Sequence, residues 1–311
     1  EREACIEEGR TIQKFATKAV ESGDGQVATA PSIAIPPAPN IPVPPFWGIK
    51  VLKPEDFDLH EIFDYINERA LFKGQWGLKT ASEEDYPKLV DNKYRPILKQ
   101  LQEEVIASGW FEPKVVYGYF GAQSEVNDLI VYKLPTGWKQ GDPVPVETLR
   151  FTYPRQRDGR HLSISDYFLS KASGQMDVLS MTCVTIGARA SHETQRLFEG
   201  GEYTKYLYLH GLSVESAEAL AELSHKRVRA ELGFGGDAPE IRDLFHQKYR
   251  GSRYSPGYPA CPSLEDQTKF FELLHPDQTI GVNLTTGFLL DPEQSTSAIV
   301  VHHPDAKYFV A

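Results

Sequence analysis

The run KVVYGYFGAQ, Lys114–Gln123, and the two that follow it, NDLIVYKL from Asn127 and ETLRFTYPR from Glu147, decide the fold. Each is rich in β-branched and aromatic residues, and turn-forming residues separate them. That pattern predicts strands joined as an antiparallel meander. Gly118-Tyr119-Phe120-Gly121 within the first run reads as a turn or bulge. VLSMTCVTIG, Val178–Gly187, predicts a further strong strand, and GFLLDP, TSAIVVHHP and KYFVA predict short ones near the C-terminus.

Working outward, helical spacing appears in Leu59–Phe72, where Ile62, Phe63, Ile66 and Ala70 share a face. It recurs after Asn92 up to Gly109, and in Ser191–Gly233, where breaks are expected near Gly200 and Gly211. Ser163–Phe168 reads as a helix start or turn. Strands and helices do not alternate regularly, which argues against a doubly wound parallel sheet. The order predicts an α+β body, a mainly antiparallel sheet with helices packed on it.

Residues 1–22 read as a helix, with Ile12, Phe15, Ala16, Ala19 and Val20 at helical spacing. Pro31–Pro45 holds seven prolines in fifteen residues, so neither helix nor central strand survives there. Its Ile33, Ile35, Ile41 and Val43 favour a strap lying on the domain over a solvated linker. The expected organisation is an N-terminal helix and linker over 1–30, a strap over 31–45 and one folded body over 46–311. The missing initiator Met suggests a chain cut from something longer, with the helix and linker over 1–30 coming from an upstream domain.

The 311 residues are 41% hydrophobic, enough for a sizeable core, and 16 Phe, 15 Tyr and 4 Trp exclude global disorder. No stretch approaches the ~20 apolar residues of a membrane span. A net charge of −10 makes nucleic acid a poor partner, because phosphates need clustered cations. Cys5, Cys183 and Cys261 stand far apart, and no secretory h-region precedes them. Both features fit a reducing, cytoplasmic setting.

Most candidate motifs have bland readings. Gly233-Phe234-Gly235-Gly236 follows a helix and lacks the Lys-Ser/Thr of a phosphate loop, so a helix C-cap is expected. His302-His303 are adjacent on a predicted strand and would point to opposite faces, a poor metal site. No GxSxG occurs, and Cys261 has no local base, so no catalytic nucleophile is assigned. Asp58-Leu59-His60 begins like the D-x-H-x-x-G loop that gives cobalamin a histidine ligand, but Phe63 replaces the glycine. Asp58 reads as a helix cap. Arg250–Pro262, RGSRYSPGYPACP, is richer. Three prolines and two glycines fix an irregular loop. Arg253 offers a planar fork of donors and Tyr258 a ring and a hydroxyl. A site for a small anionic ligand and a purely structural loop both remain open from these residues.

R-x-x-x-G-Y-P-A-C-P, Arg253–Pro262, closely resembles the signature of the S-adenosylmethionine-binding activation domain of cobalamin-dependent methionine synthase. PPFWG at Pro44–Gly48, YINERALFKGQWG at Tyr65–Gly77, VYGYFGAQSEVNDLIVY at Val116–Tyr132, YLHGLSVESAEALAE at Tyr208–Glu222, HKRVRAELGF at His225–Phe234 and HHPDAKYF at His302–Phe309 resemble that domain in the same order. The resemblance implies a curved antiparallel sheet with helices around it. It also implies a surface site for S-adenosylmethionine, whose methyl group restores methylcobalamin after cob(I)alamin has been oxidised to cob(II)alamin.

Carried over by position, the resemblance implies that Arg253 holds the ligand carboxylate. Ser255, where alanine is common in the family, lies where the loop backbone meets the ligand, and Gly257 and Tyr258 complete the loop. Tyr308 and Phe309 match a C-terminal strand pair beside the adenosyl end. Asn67 stands where a family aspartate meets the ligand amino group, so that ion pair is lost. Glu218 and Glu222 match an acidic helix face that either lines the cleft or is simply solvated. Cobalamin itself is expected on a neighbouring domain of the same polypeptide, with a flavodoxin-like or other electron donor as second partner. No metal ligand and no catalytic residue is assigned to this chain. A stand-alone S-adenosylmethionine sensor is the alternative, and an unrelated hydrolase or metal enzyme has little support.

Overall fold

The computed structural model describes residues 35–78, 82, 84–236, 241–245 and 247–311. The helix expected over 1–22, Cys5 and Ile33 of the strap lie outside them.

A seven-stranded antiparallel sheet organises the chain, in the order β4-β3-β2-β5-β9-β6 with β1 also on β2. The strands are β1 (Gly48–Leu52), β2 (Lys114–Glu125), β3 (Asp128–Tyr132), β4 (Leu149–Thr152), β5 (Asp177–Thr185), β6 (Ser252–Tyr254) and β9 (Ser295–Val301). The expected meander is β2-β3-β4. β7 (Asn283–Leu284) and β8 (Leu290–Asp291) form a separate hairpin. KYFVA, expected as a strand, carries none; Tyr308 and Phe309 follow a turn beyond β9.

β2 is the spine. It pairs with β5 along one edge, while β1 and β3 share the other end to end. Gly118 and Gly121 therefore do not turn the chain; they sit inside one continuous strand. A Cβ on Gly118 would meet the Gly48 carbonyl oxygen at 2.5 Å, and one on Gly121 the Met176 sulfur at 2.8 Å. Glycine there answers close approach, not a bend.

The sheet is covered on both faces, which is why its strands read as continuous apolar runs. Val115, Tyr117 and Tyr119 face one core, with the helices α1 (Leu59–Asp64), α3 (Arg95–Ser108), α4 (Ala188–Glu199) and α5 (Tyr203–Glu231). A short α2 (Asp85–Leu89) leads into α3 through a π turn, so that helix begins earlier than Asn92. Val116, Phe120 and Ala122 face the second core, with α7 (Gln267–Leu274), the 3-10 turn Ile164–Tyr167 and the C-terminal Phe309. Two short helices, α6 (Ile241–Phe245) and α8 (Pro276–Thr279), complete the list among described residues. Ile35 and Ile41 of the proline-rich segment pack on the cores, and the Pro36 carbonyl meets His303 Nε2 at 2.9 Å.

Two local departures shape the cleft. Leu59–Phe72 is not one helix. α1 stops at Tyr65, and Asn67 Oδ1 accepts from the backbone N–H of Arg69 and Ala70 at 3.2 Å each, capping a new π-helical turn, Ala70–Gln75. Gly211, expected as a break, lies in the middle of α5, whose 29 residues run on unbroken. A Cβ there would meet the Gln75 Cβ at 2.7 Å and the Trp76 ring at 2.9 Å. The glycine lets the 70–75 turn lie directly on the helix, where Trp76 Nε1 donates to the Tyr208 carbonyl at 3.1 Å. At the far end of α5, the Tyr117 and Tyr119 hydroxyls both donate to the Glu231 carboxylate at 2.8 Å and fasten the helix to the sheet.

Candidate functional site

β6 is an edge strand on β9, with Arg253 opposite Val300. Strand alternation buries Ser252 and Tyr254 and turns Arg253 outward, toward α5. Gly251, at φ +90°, makes this edge possible, because its Cβ position is filled by the Val301 carbonyl. Arg253 Nη2 donates to Glu222 Oε2 at 3.0 Å, with the two side chains 20% and 12% exposed. Burial works against the Arg253 charge, but the Glu222 and Glu218 carboxylates outweigh it and hold the guanidinium ionised. The other Glu222 oxygen is buried without a hydrogen-bond partner, 3.9 Å from His225 Nδ1. Desolvation, then the nearby Arg253 and Arg229, push His225 well below its ordinary range, so it is neutral.

This pair heads a cleft of about 360 Å³ between α5, the Tyr65–Ala70 segment and β6. Asn67 and Arg253 both line it, as do Glu218 and Glu222, so the acidic face of α5 borders the cleft. Asn67 also caps the 70–75 turn. Its carbonyl oxygen accepts both capping hydrogen bonds. Glu68 turns away and pairs with Arg95 at 2.8 Å.

The loop after β6 is tied internally. Gly257 N–H donates to the Cys261 carbonyl at 2.9 Å, Cys261 N–H to the Tyr258 carbonyl at 2.8 Å, and the Cys261 thiol to the Ser255 carbonyl at 2.8 Å. Gly257 takes φ +93°, and a Cβ there would strike Leu264 at 2.7 Å. Burial, then Asp266, push the Cys261 thiol up to about 12, so it stays protonated. Tyr258 projects from the loop, 55% exposed. Desolvation and the Glu218 carboxylate raise its hydroxyl, Arg253 opposing; burial first, then Cys261 and Tyr258, raise that of Tyr308. Ser255, Gly257, Tyr258 and Tyr308 are not among the residues that line the Arg253 cleft; Tyr258 is coupled to it through the Glu218 and Arg253 charges. Phe309 is set apart: its ring is buried on Tyr254 and Tyr167, centroids 5.9 and 6.3 Å away.

Sequence reasoning missed Glu215, Tyr65 and Tyr249, which also line the cleft. Glu215 is buried and accepts from Gln75 Nε2 at 3.4 Å. Desolvation, opposed by that hydrogen bond and reinforced by Glu218, raises its carboxyl to about 7.

The other motifs resolve structurally. Asp58 Oδ1 caps α1 by accepting from His60 N–H at 2.9 Å. Gly233, at φ +88°, follows the end of α5. His302 and His303 lie beyond β9, both buried, and His302 pairs with Asp177 at 2.6 Å. Among the described residues no group of three or more His, Cys, Asp or Glu could hold a metal ion, and no helix is long and apolar enough to cross a membrane.

Fold and cleft together define an α+β domain with a charged, small-molecule-sized site at the edge of its sheet. The chain belongs to the family described as vitamin B12 dependent methionine synthase, activation domain, whose profile matches residues 58–311. It is 41% identical over 285 residues to a methionine synthase of Mycobacterium leprae and 42% identical over 285 residues to one of Mycobacterium tuberculosis. Each match covers 87% of this chain, and the chain spans 23% of the length of either relative. A solved structure of the MetH reactivation domain bound to AdoHcy superimposes with a TM-score of 0.76 at 22% identity, over 87% of this chain and 83% of that one. At that identity the likeness is one of fold.

Proposed function

We propose that the cleft binds S-adenosylmethionine and that the domain offers its methyl group to cobalamin carried by another domain of the same polypeptide, in the reductive reactivation of methionine synthase. The observation that carries this reading is the ionised Arg253, paired with Glu222 at the head of a cleft whose other acidic lining residues are Glu215 and Glu218. A ligand with a carboxylate at one end and fixed positive charge further along matches that order of charges. The donor fork of Arg253 suits the carboxylate. The internally bonded loop at Ser255, Gly257 and Tyr258 offers rigid backbone groups to the ligand. Tyr308 flanks the adenosyl end, with Phe309 anchoring its segment from behind. Asn67 offers an amide donor at the cleft wall.

Cobalamin is a substrate of this domain, not its resident cofactor. Reduction of cob(II)alamin by one electron, from a flavodoxin-like or other donor, supplies the electron pair that attacks the methyl carbon. The carbon–sulfur bond breaks toward sulfur, and S-adenosylhomocysteine leaves uncharged at sulfur. The domain contributes position: the sulfonium methyl must lie in line with the acceptor.

The test joins this chain to a cobalamin-loaded binding domain, a one-electron reductant and methyl-labelled S-adenosylmethionine. Label is expected in methylcobalamin, and none when this chain is left out. Methylation of free homocysteine by this chain alone would contradict the reading.

A further inference from the structure

The charges of the cleft are arranged in line along α5. Glu222 is committed to Arg253, Glu218 follows one turn away, and Glu215 lies seven residues from Glu222, about 10 Å along the helix axis. S-adenosylmethionine carries its carboxylate and its sulfonium at opposite ends of a three-carbon chain. A ligand whose carboxylate meets Arg253 and whose chain extends toward the start of α5 would set its sulfur further along this row. Glu215 differs from the exposed Glu218 in being only 8% exposed, held against Gln75 because Gly211, one turn before it, lets that residue approach. A carboxylate desolvated in this way responds strongly to a neighbouring fixed charge.

We propose that Glu215 is a specificity-determining residue of the cleft: ionised, it faces the sulfonium and so favours S-adenosylmethionine over S-adenosylhomocysteine, whose sulfur is neutral. The inference rests on the reading of the site given above. Glu218 and Glu222 on the same helix, Tyr65 at the end of α1, Tyr249 and Arg253 are the titratable and charged groups around the cleft. Burial, with Glu218 adding to it, keeps Glu215 protonated up to about 7 in the free protein. A sulfonium beside it expels that proton to solvent; a thioether does not.

The test is calorimetry of the 311-residue chain with each ligand, between about pH 6 and about pH 8, in buffers of different ionisation enthalpy. Wild type should release a proton on binding S-adenosylmethionine near neutral pH, with affinity rising over this range, while S-adenosylhomocysteine binding stays nearly flat. Glu215→Gln, with folding checked by thermal unfolding, should abolish that proton release. It should weaken S-adenosylmethionine roughly ten- to hundredfold and S-adenosylhomocysteine several times less. Equal weakening of both ligands, or an unchanged ratio and pH dependence, would overturn the proposal while leaving the site assignment standing. Failure of wild type to bind either ligand would overturn both.

Discussion

Arg253 and Glu222 join strand to helix: the guanidinium donates at 3.0 Å to the carboxylate across the head of the cleft. An incoming carboxylate must therefore share the fork with Glu222. Two charged hydrogen bonds to a ligand contribute about 1.5–3 kcal/mol each before competition. Arg253→Ala should weaken S-adenosylmethionine by roughly ten- to several-hundredfold. Arg253→Lys should recover only part, since an ammonium cannot reproduce the fork. Titration with decarboxylated S-adenosylmethionine separates the two roles of this arginine. A carboxylate contact leaves that analogue's binding nearly unchanged; equal loss for both ligands would make Arg253 a structural residue alone.

Gly211→Ala isolates a packing effect. In an open helix interior the change would stabilise by roughly 1 kcal/mol. Here the new methyl meets Gln75 and Trp76 at 2.7 and 2.9 Å. Overpacking of that kind costs about 1–3 kcal/mol. A fall in Tm is expected, by roughly 2–4 °C per kcal/mol at this size. An unchanged or raised Tm would show that the 70–75 turn is loosely held.

Glu215 links stability to pH. Its carboxyl holds a proton up to about 7 in the folded chain, against an ordinary value of 4.5. Between those values the folded state binds more protons than the unfolded state, so this group makes stability fall as pH rises through the window. Glu215→Gln removes that slope. Urea unfolding at about pH 8 should find the variant more stable than wild type by about 1–3 kcal/mol, with the gap closing toward about pH 4. A gap independent of pH would contradict the assignment.

Cys261 is a packing residue in this account. Its thiol donates to the Ser255 carbonyl and is pushed up to about 12 by burial. Thiolate is the reactive form, so alkylation of the native chain near pH 8 should leave Cys261 unlabelled. Cys261→Ala should leave ligand binding within roughly a few fold. Loss of methyl transfer in the reconstituted system, with folding intact, would argue for thiol chemistry instead.

The sheet was legible because β-branched runs and turn residues are local signals. The α+β class followed from element order alone. Glycines misled, because Gly118, Gly121 and Gly211 look like breaks locally but answer to atoms distant in sequence: the Gly48 carbonyl, Met176 and Gln75. The Leu59–Phe72 pattern hid a break that only the Asn67 cap reveals. Arg253 and its loop stood out because proline and glycine announce a rigid backbone. Glu215 did not. Its burial arises where α5 meets Gln75, 140 residues earlier in the chain, and the one residue that permits the contact is a glycine.

Calorimetry of this chain with S-adenosylmethionine near pH 7.5 tests the central claim most directly. Saturable binding at one site per chain is expected, lost or strongly weakened in Arg253→Ala. Absence of binding to the folded wild-type chain, or binding that Arg253→Ala leaves untouched, would contradict it.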